Sequence, residues 1–151
     1  MGKLVLVTGG ARSGKSTFAE EFVKSYGDDI LYIATSIPFD DEMKLRIKNH
    51  REQRPAHWET IEAYKDMDKK LEGRLIEKSA ALLDCITVMV SNIMFEAYGE
   101  WENVTTDDIA NIEDTVKVEI EKLIKLIKEA SIPFVLVTNE VGMGIVPDNV
   151  M

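Results

Sequence analysis

Gly9, Gly14, Lys15 and Ser16 stand at the spacing G-x-x-x-x-G-K-S within "GGARSGKST", directly after the apolar run Leu4-Val5-Leu6-Val7. A glycine at the first position lets the chain turn sharply out of a strand with no side chain in the way of a phosphate. Backbone N–H groups then point inward. A helix beginning near Gly14 adds its positive end to that nest, and Lys15 adds an ammonium that can bridge terminal phosphates. Ser16 supplies a hydroxyl of the kind that ligates magnesium, an ion that prefers oxygen donors. A glycine-rich turn could spell the same letters by chance. Here a strand-like run precedes them and a helix-like run follows, so phosphate binding is the expectation.

Asp84 closes the run "AALLD". An acid at a strand end can orient magnesium or its water shell near Ser16, or it can cap the next helix; the loop in the same chain favours the magnesium role. The histidines are His50 and His57. His50 lies three positions after Ile47, which puts it on or beside a buried helical stripe, with Arg46 one turn before it. Taken alone, a histidine there is more often a packing residue than a catalyst. His57 in "RPAHWE" reads the same way. Cys85 is the one cysteine, has no internal disulfide partner, and sits in an apolar run as a small hydrophobe would.

Elements that position these residues alternate between strand and helix patterns, the signature of βαβ units and a mostly parallel sheet. Strands are predicted near 3–8, 29–35, 80–86 and 133–138. Phe18, Ala19, Phe22, Val23 and Tyr26 recur at helical spacing, giving a helix over 15–26 that stops at Gly27. A second helix should run from near Asp40 to just before Arg54-Pro55, with acids in its first turn; a third spans 64–77. From about 106 to 130, Ile109, Ile112, Val116, Ile120, Leu123 and Ile127 form one apolar stripe that should face the sheet. In an open parallel sheet, ligands bind at the carboxyl ends of the strands. Thr35-Ser36, Asp84 and Thr138-Asn139-Glu140 therefore fall on the side of the phosphate loop.

At 151 residues one domain, 1–151, is expected. No apolar run approaches a membrane span, and the N-terminal stretch is too short for a cleavable signal, so a cytoplasmic setting is expected. The formal charge of −9 argues against a nucleic-acid surface, which needs clustered cations. One local phosphate site is compatible with that charge if magnesium reduces the charge of the ligand.

"LVTGGARSGKS", "LYIATS", "DDEMKLRIKNHREQRPAHWETIE", "LLDCITVMVSN" and "VLVTNEVGMGIVP" resemble successive motifs of the bifunctional adenosylcobinamide kinase / adenosylcobinamide-phosphate guanylyltransferase of cobalamin biosynthesis. The likeness covers nearly the whole chain. The phosphate loop is common to many NTPases, whereas "RI-x-x-H-x-x-x-RP" combined with "NEVGMGIVP" is far more specific. The resemblance implies an α/β P-loop NTPase-like sheet flanked by helices. It implies two reactions: phosphorylation of the aminopropanol hydroxyl of adenosylcobinamide by GTP or ATP, then attachment of GMP through a guanylylated histidine. That histidine falls on His50, and an imidazole near an α-phosphate can act as nucleophile.

The same resemblance points to Gly9, Gly10, Ala11, Arg12, Ser13, Gly14, Lys15, Ser16, Thr35, Ser36, Ile37, Arg51, Glu52, Gln53, Arg54, Glu62 and Asp84 as nucleotide contacts, with Ser16 and Asp84 toward Mg2+. Arginines such as Arg51 and Arg54 suit phosphates, though arginine on a solvated helix is commonplace. The resemblance also implies a homotrimer. It further implies relatives that continue past "GMGIVP" for about a helix and a strand, so an open sheet edge is expected here. A P-loop kinase of a small metabolite without a covalent intermediate, and a nucleotide-binding module without turnover, are the alternatives.

Overall fold

Runs rich in Val, Ile and Leu form the strands; residues 30–33, 80–83 and 134–137 are buried on both faces, as continuous apolar runs in a parallel sheet are, whereas Leu4 and Leu6 are exposed. The computed structural model describes residues 3–10, 13–36, 41–52, 54–97 and 105–139, without the side chains of Met43, Arg46, Ile47, His50 and Arg51. In chain order the elements are β1 (Leu4–Gly9), α1 (Lys15–Lys24), β2 (Ile30–Ala34), α2 (Asp41–Glu52), β3 (Glu59–Glu62), α3 (Met67–Lys70), β4 (Ala80–Asp84), α4 (Ile86–Ala97), α5 (Thr106–Glu129) and β5 (Phe134–Asn139). The five strands lie in the order β1-β5-β4-β2-β3, and every pairing is parallel. This is the expected α/β architecture.

Because successive strand residues point to opposite faces, the sheet carries two cores. Leu31, Ile33, Leu83, Phe134 and Leu136 meet Met89 of α4 and Leu123 and Ile127 of α5 on one face. On the other, Ile30, Tyr32, Leu82, Val135 and Val137 pack with Ala19 and Val23 of α1 and with Trp58. Leu123 and Ile127, with Val116 and Ile120 beside them, therefore face the sheet as predicted, whereas Ile109 at the start of the expected stripe is exposed. Its N-terminus is closed by a reciprocal capping box, in which Thr105 accepts from the Asp108 N–H and Asp108 accepts from the Thr105 N–H. Phe134 is fully buried. Phe134→Ala should lower stability by about 3–5 kcal/mol, read from the midpoint of chemical denaturation.

Three elements depart from the expectation. The strand predicted to reach residue 86 stops at Asp84, and α4 begins at Ile86. The β-branched residues Ile86, Thr87 and Val88 hide a helix whose buried face, Met89, Asn92 and Ile93, follows the helical period. The helix expected over 64–77 is only the single turn α3, and Gly73 takes a left-handed φ of 74° in the turns beyond it. β3 was not expected: "ETIE" is a four-residue strand of weak alternation, held by β2 at the sheet edge.

Candidate active site

In a parallel sheet all carboxyl ends share one side, and the register brings specific residues together there. Gly9 faces Asn139, Val137 faces Asp84, and Ala34 faces both Asp84 and Glu62. β5 thus separates the strand that feeds the phosphate loop from the strand that ends in Asp84.

The loop is built on two glycines. A Cβ on Gly9 would lie 2.6 Å from the Ser13 Oγ, and Gly14 holds a left-handed φ of 80°. Gly14 is the N-cap of α1 and provides no side-chain cap, unlike the fully capped start of α5. The first-turn N–H groups of α1 are therefore not closed off by a capping side chain, which suits an anion. The Lys15 ammonium donates to the Gly10 carbonyl at 3.1 Å, folded over the nest that a phosphate would enter. Ser16 is half-buried in the same turn. A cavity of about 530 Å³ opens onto Thr8, Gly9, Ser13, Gly14, Lys15 and Phe18. Ala11 and Arg12 lie outside the described residues.

Around Asp84 the polar groups are tightly arranged. Tyr32 pairs with Leu82, so it shares a face with Asp84 two residues on, and its hydroxyl donates to Asp84 Oδ2 at 2.9 Å. The Arg54 guanidinium carbon lies 3.7 Å from the centroid of the Tyr32 ring, and both residues are buried. Burial, and next the charge of Asp84, hold the Tyr32 phenol far above its usual pKa, so it stays a donor at any physiological pH. Thr35, fully buried, commits its hydroxyl to the backbone: it donates to the Cys85 carbonyl at 2.7 Å and accepts from the Cys85 N–H at 2.8 Å. The Thr35 carbonyl accepts from Asn92 Nδ2 at 2.7 Å. This buried lattice fixes the ends of β2 and β4 together.

Beyond β5, the Asn139 N–H donates to Thr87 Oγ1 at 2.9 Å, and Asn139 Oδ1 is buried without a partner among the described residues. Ser36 is half-buried after β2, and Glu62 is exposed at the end of β3. Glu52 and Arg54 line a second cavity, of about 510 Å³, with Lys48, Pro55, Trp58 and Thr60. None of the loop residues borders it. The backbone of His50 and Arg51 lies in the last turns of α2, while Ile37, Gln53 and Glu140 lie outside the described residues. His57 is exposed, with Nε2 2.9 Å from the Asp28 carbonyl. Cys85 is buried, and burial raises its thiol pKa. Alkylation of Cys85 should accordingly be slow in the native protein and fast after denaturation, as peptide mass mapping would show.

Tyr32, Asn92 and Thr87 were not singled out from the sequence. Tyr32 sits inside the apolar run "ILYIA" and reads as core, which its ring is. Only the β2–β4 register shows where its hydroxyl ends.

Among the described residues, no group of three or more His, Cys, Asp and Glu side chains could hold a metal ion by itself, and no helix is long and apolar enough to cross a membrane. A glycine loop between β1 and α1, at the carboxyl edge of an all-parallel sheet with an acid two strands away, defines a P-loop nucleotide-binding fold. Residues 5–151 match the family CobU, described as cobinamide kinase / cobinamide phosphate guanyltransferase, and the chain belongs to that family. It is 47% identical over 148 residues to the bifunctional adenosylcobalamin biosynthesis protein CobU of Salmonella typhimurium, covering 97% of this chain and 80% of the relative. It is 43% identical over 146 residues to CobU of Escherichia coli, with the same coverage. The bifunctional protein CobP of Pseudomonas aeruginosa is 35% identical over 142 residues, 94% of this chain and 74% of the relative.

Proposed function

We propose that this chain carries out two successive transfers on one corrinoid substrate. In the first, the aminopropanol hydroxyl of adenosylcobinamide attacks the γ-phosphorus of GTP or ATP; an O–P bond forms, the bond from the γ-phosphorus to the β–γ bridging oxygen breaks, the hydroxyl proton is released to solvent, and the nucleoside diphosphate leaves. In the second, an imidazole nitrogen of His50 attacks the α-phosphorus of GTP; an N–P bond forms, the α–β P–O bond breaks, and pyrophosphate leaves. A phosphate oxygen of adenosylcobinamide phosphate then attacks that α-phosphorus. The N–P bond breaks, giving adenosylcobinamide-GDP and free His50. The observation that carries this reading is family membership across residues 5–151, including the phosphate loop and the His50 segment.

The residues suit these roles on physical grounds. The loop N–H groups of Gly9–Ser16 and the Lys15 ammonium would hold β- and γ-phosphates, and Lys15 would exchange its Gly10 contact for them. A magnesium ion bound with the nucleotide fits an all-oxygen set of the Ser16 hydroxyl, Asp84 and phosphate oxygens, since this ion needs only one or two protein ligands. Bound there, it would neutralise phosphate charge that this acidic chain otherwise repels. Arg51, Glu52, Gln53 and Arg54 follow His50 and would form the nucleotide contacts of the second transfer, supported by the cavity that Glu52 and Arg54 line. Ser36, Ile37 and Glu62 would contribute from the ends of β2 and β3, while Thr35 would act through the backbone it holds.

We also propose that residues 1–151 all belong to a single P-loop nucleotide-binding domain, that the protein assembles as a homotrimer, and that it works in the cytoplasm. The family resemblance supports the trimer, and the free, buried Cys85 suits a reducing compartment. Incubation with adenosylcobinamide, GTP and magnesium, followed by chromatography, tests the function. The expected products are the phosphate, then the GDP derivative with release of pyrophosphate. Phosphate alone would reduce the function to a kinase.

A further inference from the structure

The geometry points to Tyr32 as a positioning residue for magnesium-assisted nucleotide binding: its hydroxyl holds Oδ2 of Asp84 and leaves Oδ1 to the ion that accompanies the phosphates. The inference rests on the magnesium role of Asp84 proposed above and adds Tyr32, a residue of "LYIATS" to which no role was assigned from the sequence.

A carboxylate turns easily about its last torsion, which has broad and nearly twofold wells. A donor at 2.9 Å on one oxygen removes that freedom and defines the plane in which the second oxygen is offered. The donor is itself held by packing. Its strand is paired on both sides, by β3 and β4, and the ring is 4% exposed within the core beside α1. The guanidinium of Arg54 covers the ring at 3.7 Å. Packing alone would be met as well by phenylalanine, which has the same ring. What tyrosine adds is one O–H, and that O–H is on Asp84. A neutral donor also leaves the carboxylate its full charge for a cation, which a directly paired lysine would offset.

Arg54 lines the cavity at the end of α2 and also covers the ring whose hydroxyl holds Asp84.

The test compares Tyr32→Phe and Asp84→Ala with the unsubstituted chain by calorimetric titration of GTP, across a magnesium series and in EDTA. Loss of one hydrogen bond to the carboxylate should weaken magnesium-dependent GTP binding by about 3- to 10-fold in Tyr32→Phe and move the magnesium midpoint up by a similar factor. Binding in EDTA should be unchanged. Asp84→Ala should show the same pattern with a larger loss. If Asp84→Ala leaves the magnesium dependence intact, the assignment of Asp84 fails and the role of Tyr32 falls with it. If Asp84→Ala loses it while Tyr32→Phe follows the unsubstituted curve, Asp84 stands and Tyr32 only packs. An equal loss with and without magnesium in Tyr32→Phe would mean a general disturbance of the site and would also overturn the inference.

Discussion

His50→Ala should abolish guanylyl transfer while leaving phosphorylation of adenosylcobinamide within a few-fold of the unsubstituted chain. The separation follows from the chemistry of the two steps. Phosphoryl transfer to a substrate hydroxyl depends on positioning and on charge stabilisation by loop, lysine and magnesium, and it uses no protein nucleophile. Transfer of GMP through the protein has no route once the imidazole is gone. The expected loss is on the order of 10³-fold or more in formation of the GDP derivative, in line with removal of a nucleophile that acts with its surroundings as a unit. Both products, followed by chromatography in one reaction, check it. The placement of His50 in α2, next to Arg51 and ahead of Arg54, motivates the assignment. His57 is the contrasting case, since its ring rests on the Asp28 carbonyl, and His57→Ala should leave both products in place.

Lys15→Ala should damage both reactions, because both draw on phosphates held at the same loop. A charge-assisted contact contributes about 1.5–3 kcal/mol, so GTP affinity should fall on the order of 10- to 100-fold. The rates should fall further if the ammonium also meets charge that develops during transfer. Calorimetry measures the first effect and product formation the second. Equal affinity in the variant would refute the loop as the nucleotide site. The fold should survive the change, since the only described contact of the ammonium is with the neighbouring Gly10 carbonyl.

How much of the fold is legible in the sequence follows from how locally each feature is encoded. The phosphate loop was legible because its glycines stand at fixed places, Gly14 at a left-handed φ and Gly9 close to the Ser13 hydroxyl. β2, β4 and β5 were legible because strands buried on both faces leave continuous apolar runs, and β1 because "LVLV" is such a run even though Leu4 and Leu6 are exposed. α4 was not, because Ile86, Thr87 and Val88 carry strand-like composition into a helix whose burial on the sheet overrides their propensity. β3 is too short to show a period, and it exists because β2 offers it an edge.

The site divides in the same way. Asp84 could be placed by its position at a strand end. Its hydrogen bond from Tyr32 spans 52 positions of sequence and depends on a register that no local pattern states. Arg54 was read as a residue for phosphates, and the structure places its guanidinium on an aromatic ring beside that acid. Thr35 was read as a nucleotide contact, and its hydroxyl is engaged with both backbone groups of Cys85.

On the reading proposed above, one chain holds GMP covalently on His50 between two transfers. The direct measurement is incubation with GTP labelled at the α-phosphate, with magnesium, followed by denaturing electrophoresis and peptide mapping. The expected result is acid-labile label that stays with the unfolded chain, maps to the peptide bearing His50, and is missing from His50→Ala. Label that persists in His50→Ala, or no retained label in an unsubstituted chain that still makes adenosylcobinamide-GDP, would contradict it.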